Sequence, residues 1–108
     1  MAGVQDQLPR VLPMAEIRIF CQRWRITELA LFGSVLRDDF GPESDVDVLV
    51  TFAPDYHRSL ADMMQMQDEI EAIFQRSVDL INRRTIEQSE NYLRRKAILS
   101  TARTVYVA

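Results

Sequence analysis

A chain of 108 residues, 47% hydrophobic and 27% charged, has enough apolar surface for one globular core and excludes a second independent one. A net charge of −3 and a sequence pI near 5.1 argue against the broad positive surface of a non-specific nucleic-acid binder, so nucleic acid is not an expected partner. Cys21 is the only cysteine, which excludes an intramolecular disulfide or a thiolate metal cluster within one chain.

No apolar run is long enough to span a bilayer, and the opening MAGVQDQLPR lacks the charged-then-apolar layout of a signal peptide. No membrane association and a cytoplasmic location are therefore expected. Residues 1 to 12 hold turn formers without a period and read as a loose arm, leaving 13 to 108 as a single domain. Leu12, Ile17, Phe20, Cys21 and Trp24 recur near helical spacing behind Pro13, which predicts a helix to about Trp24 with Cys21 in the core.

The short apolar segment Glu28 to Phe32 ends at Gly33-Ser34 and predicts a buried strand entering a tight turn, with a short helix from Val35. After the turn formers Gly41 and Pro42, the alternation and β-branched content of Asp45 to Phe52 predict a central strand. Residues 53 to 58 read as a loop in which His57, the lone histidine, is an exposed bystander. Ser59 and Asp62 then have helix-start spacing, and Leu60, Met63, Met64, Ile70, Ile73 and Phe74 describe one face of a long helix.

Val78 to Ile81 reads as a third strand. Thr85 and Gln88 have capping-box spacing, which predicts one last helix turning Leu93, Ala97 and Ile98 inward, and Thr104 to Val107 as a final short strand. Together these elements describe an α/β (α+β) domain. Arg76, Arg83, Arg84, Arg94, Arg95, Lys96 and Arg103 crowd the last third, where the solvated face of a helix explains them.

Three places carry chemistry in combination. On a strand, Asp45 and Asp47 project to one face while Val46 and Val48 take the other. Their Cα atoms are about 7 Å apart, and inward-leaning carboxylates can hold ions ~4 Å apart, as two-metal phosphoryl chemistry requires. Such like charges need a cation, and an oxygen-only donor set points to Mg²⁺. Gly33 and Ser34, at a strand-to-helix junction, offer backbone N–H groups and a hydroxyl to a phosphate. Asp79 alternates out from Val78 and Leu80 and can face the same site as a metal ligand or proton acceptor. Each piece alone has an ordinary reading, as a cap, a turn or a surface carboxylate; the combined spacing is what carries the weight.

Gly33-Ser34, ten intervening residues, Asp45-Val46-Asp47 and a later Asp79 resemble the signature of the DNA polymerase β-like nucleotidyltransferases, and above all their minimal nucleotidyltransferase (MNT) branch of antitoxin-type proteins. The words Leu31-Phe32-Gly33-Ser34-Val35-Leu36-Arg37, Ser44 to Val50 and Asn91 to Lys96 extend the likeness from about residue 14 onward. Asp38 stands where many relatives have glycine. The resemblance implies a nucleotidyltransferase fold with a small mixed sheet flanked by helices. It also implies that Gly33 and Ser34 hold a triphosphate with Arg37 beside it. Asp45 and Asp47 would ligate two Mg²⁺ ions, with Asp79 as third carboxylate or base. AMP transfer from ATP, or another nucleoside triphosphate, to a tyrosine of a HEPN-domain toxin is the implied reaction. Neutralisation of a partner by occlusion, transfer to a small molecule, and a homo-oligomeric state stay open at this level.

Overall fold

The computed structural model describes residues 12–33 and 45–108. The expected N-terminal arm up to residue 11, the turn at Ser34 and the short helix from Val35 lie outside the described residues, while Leu12, the last residue of that arm, is buried in the main core. In chain order the elements are α1 (Met14–Arg23), β1 (Ile26–Phe32), β2 (Val46–Phe52), α2 (Leu60–Phe74), β3 (Val78–Asn82), α3 (Arg83–Glu87), α4 (Tyr92–Thr101) and β4 (Arg103–Val107). The strands form one sheet in the order β3-β2-β1-β4. β2 runs antiparallel to β1 and parallel to β3, and β4 is antiparallel to β1, so the expected mixed sheet is present.

Side-chain alternation divides the sheet into two faces. Leu29, Leu31, Val46, Val48, Val50 and Val78 point to α1 and α2 and form the main core with Ile17, Phe20, Cys21, Met66 and Ile70. Ala30, Phe32 and Leu49 point the other way and are covered by Ile86 of α3 and Ile98 of α4. Cys21 is fully enclosed, and loss of hydration pushes its thiol from 9.0 up to about 12, which keeps it protonated and unreactive at neutral pH. Among the described residues no helix is long and apolar enough to cross a membrane.

Local capping explains where the helices begin. Ser59 Oγ accepts from the Asp62 N–H while Asp62 Oδ2 accepts from the Ser59 N–H, each at 3.0 Å, so the expected helix start is a reciprocal capping box. The inward stripe of α2 is shifted from the expected one. Met66 and Ile70 are fully buried and Met63, Ile73 and Phe74 pack beside them, whereas Leu60 and Met64 are 77% and 63% exposed. Leu60 and Met64 share an i, i+4 row of their own, rotated off the sheet.

The single last helix expected from Thr85 and Gln88 is two helices. Asn82 Oδ1 accepts from the Arg84 N–H at 2.9 Å and starts α3 directly at the end of β3, so Thr85 falls inside that helix and Gln88 at its C-terminal cap. Asn91 Oδ1 accepts from the Arg94 N–H at 3.1 Å and starts α4. An asparagine cap at each helix replaces the expected capping box. Ile98 is inward as expected, but Leu93 is 76% exposed and Ala97 also faces outward. With the new register, Leu99 joins Ile98 against the sheet.

Trimming Ile70 to alanine is expected to lower stability by about 2–5 kcal/mol, because it removes buried methyl groups and leaves a cavity. Met64→Ala should change it by less than ~0.5 kcal/mol. Urea denaturation of the two variants checks this, and equal losses would contradict the orientation of α2.

Candidate active site

The antiparallel hairpin of β1 and β2 brings the end of one strand against the start of the other, with Phe32 opposite Asp47. Gly33 follows with φ +77°, a left-handed conformation that side chains strongly disfavour. A Cβ at Gly33 would overlap Asp47 Oδ2 and come within 3.1 Å of Asp47 Cγ. Glycine is thus required twice, by the backbone angle and by the carboxylate resting on it.

β3 brings in the second carboxylate. Asp47 and Asp79 are register partners across the parallel β2–β3 pair. Such partners point to the same face with Cα atoms about 4.8 Å apart. This is the face of Ala30, Phe32 and Leu49; Asp47 is half-buried and Asp79 exposed. Asp45 is exposed and sits one residue before β2, outside the ladder, with Val46 buried on the opposite face. Ser34 and Arg37 lie outside the described residues.

The position of Asp79 depends on two residues that sequence reasoning passed over. Gln67 Nε2 donates to the Val78 carbonyl at 2.6 Å, and Glu71 Oε2 accepts from the Val78 N–H at 3.1 Å. Gln67 also donates to Glu71 at 3.0 Å, closing a three-membered network. Edge strand β3 is therefore anchored from α2 at the residue before Asp79, while Val46 N–H donates to the Ser77 carbonyl on its inner side at 3.0 Å. Gln67 and Glu71 are four apart on one helix face, the one hint available in sequence, but their target is not local.

Two carboxylates opposed on neighbouring strands repel unless a cation lies between or beside them. Among the described residues no group of three or more histidine, cysteine, aspartate or glutamate side chains is arranged to hold a metal ion. A pair of oxygen donors nevertheless suits Mg²⁺, which takes one or two carboxylates and completes its shell with water and substrate phosphate. Zinc does not fit, since Cys21 is buried beneath the other face and His57 lies at the far end of β2.

A four-stranded mixed sheet carrying opposed aspartates beside a glycine turn defines a nucleotidyl-transfer fold. The chain belongs to the nucleotidyltransferase domain family, whose model matches residues 16–104. It is 30% identical over 69 residues to MJ1379 of Methanocaldococcus jannaschii, provisionally named a protein adenylyltransferase, covering 64% of this chain and 69% of that one. Among solved structures it resembles a provisionally assigned minimal nucleotidyltransferase (28% identity, TM-score 0.61, 82% and 83% of the two chains). It also shares the fold of a chain in a toxin–antitoxin structure with AMP-PNP (14% identity, TM-score 0.66, 90% and 75%). A further match is a chain of the complex of a tri-AMPylated Shewanella oneidensis HEPN toxin with its MNT antitoxin (13%, TM-score 0.57, 88% and 70%).

Gly33→Ala is expected to cost about 1–3 kcal/mol of stability through backbone strain and overlap with Asp47. Combining it with Asp47→Ala should cost less than the sum of the single changes, because the overlap disappears with the carboxylate. Denaturation of the three variants measures this coupling, and strict additivity would contradict the contact.

Proposed function

We propose that this chain transfers AMP from ATP, with Mg²⁺, to a hydroxyl of a HEPN-type toxin and so acts as its antitoxin. The observation that carries the reading is the register pairing of Asp47 with Asp79, with Gly33 packed against the Asp47 carboxylate. Support for the nucleotide and the acceptor comes from the relative named for protein adenylylation and from the two toxin–antitoxin complexes that share the fold.

Asp45, Asp47 and Asp79 are the proposed ligands of two Mg²⁺ ions. Bound there, the ions would offset negative charge on the attacking oxygen and on the leaving pyrophosphate. The backbone at Gly33 and the hydroxyl of Ser34 would hold the triphosphate, with Arg37 beside it; the roles of Ser34 and Arg37 rest on the sequence resemblance. The acceptor oxygen attacks the α-phosphorus in line, the bond from that phosphorus to the β-bridging oxygen breaks, and pyrophosphate leaves. Asp79, at the outer edge of the sheet and open to solvent, takes the hydroxyl proton. Positioning and electrostatics supply most of the rate in such a reaction.

Incubating the chain with a HEPN toxin, Mg²⁺ and labelled ATP, followed by mass measurement of the toxin, tests the proposal. An increment of one or more AMP groups on the toxin is expected. Asp47→Asn should reduce the rate by about 100-fold or more. Undiminished labelling by that variant would overturn the assignment, and full neutralisation without labelling would favour occlusion.

A further inference from the structure

A second site lies at the opposite end of the sheet, where β2 and β3 finish and β1 begins. From Asp47 to Thr51 the chain travels about 13 Å, and α3 and α4 cover the intervening Leu49. Beyond them opens a cavity of roughly 800 Å³, lined among others by Glu28, Phe52, Arg58, Arg83 and Arg84. A volume of this order accommodates a small-molecule ligand.

The lining is built for an anion with a flat, polar body. The Arg58 guanidinium lies over the Phe52 ring, its Cζ 3.9 Å from the ring centroid. Its Nε is shielded from solvent and donates to nothing, so one edge of a charged group is already dehydrated without compensation. Among the described residues neither Arg58 nor Arg84 has an ion-pair partner, whereas Arg83 is held by Glu87 at 3.4 Å. Across the cavity Glu28 accepts from Thr104 at 2.8 Å, which orients a carboxylate for sugar hydroxyls. Tyr56, packed beside Phe52, and His57 also line the cavity.

We infer that this cavity binds a nucleoside phosphate, with Arg58 and Arg84 on the phosphate, Glu28 on the ribose and Tyr56 and His57 against the base. Planar guanidiniums match phosphate oxygens in pairs, and base stacking on aromatic side chains tolerates different bases. The site is separate from the aspartate pair and needs no divalent ion.

The full chain, titrated with AMP in EDTA and followed by calorimetry and amide chemical shifts, tests this. Saturable binding is expected, with shifts concentrated at residues 56–58 and 82–88. Arg84→Ala, an exposed change that leaves the core untouched, and Arg58→Ala should each weaken it about tenfold or more, as loss of a charged hydrogen bond does. Arg58→Lys should fall between Arg58→Ala and the unaltered chain. Asp47→Asn should leave the affinity within about twofold, consistent with independence of distant sites. The inference is overturned if AMP shows no saturable binding in EDTA or if its shifts map to the Asp47 end. It is equally overturned if Arg84→Ala binds as well as the unaltered chain, or if a poly-glutamate peptide binds there and AMP does not. These results bear on the second cavity alone, whereas AMP transfer is read by labelling of the toxin in Mg²⁺.

Discussion

A hydrogen atom in place of a side chain at Gly33 lets the end of β1 rest against the Asp47 carboxylate, and the site is organised around that approach. The strand register sets Asp47 opposite Phe32, Gly33 follows in a left-handed conformation, and the carboxylate is half-buried at the end of the sheet. A cation at this carboxylate, as the proposed function requires, would offset the cost of holding the charge there. Chemistry and fold meet in one steric requirement.

The sheet serves that contact by separating two tasks. One face is almost wholly apolar and joins α1 and α2 in the main core, which supplies most of the burial. The other carries a smaller cluster in its middle and leaves its ends to polar work, Asp47 and Asp79 at one end and the arginine-lined cavity at the other. Edge strand β3 would be the weak member of this arrangement. Gln67 and Glu71 reach from α2 to both polar groups of Val78 and hold it, so the helix that builds the core also sets the height of Asp79.

Much of this was legible in the residues because it is local. The Ser59 and Asp62 cap, the alternation of Val46, Asp47 and Val48 and the burial of Cys21 follow from spacings within a few positions. Thr85 and Gln88 have the same spacing as Ser59 and Asp62 yet start no helix, because Asn82 and Asn91 occupy the strand and loop ends where N-terminal caps are needed. Leu60 and Met64 are as apolar as Met66, and only the direction from which α2 meets the sheet selects the inward row. The parallel register that matches Asp47 with Asp79, and the hold of Gln67 and Glu71 on Val78, join residues that no short-range pattern connects. Strand alternation allowed Asp79 to face the same site and the family resemblance implied it, but neither indicated the means by which α2 holds its strand.

The central claim is that Asp47 and Asp79 form half of a cation site which a triphosphate completes. Titration of Mn²⁺, read by electron paramagnetic resonance with and without AMP-PNP, measures this directly. Weak binding without the nucleotide, strong binding with it, and loss of the strong class in Asp79→Asn are expected. Strong binding that ignores the nucleotide, or survives Asp79→Asn unchanged, would contradict the claim.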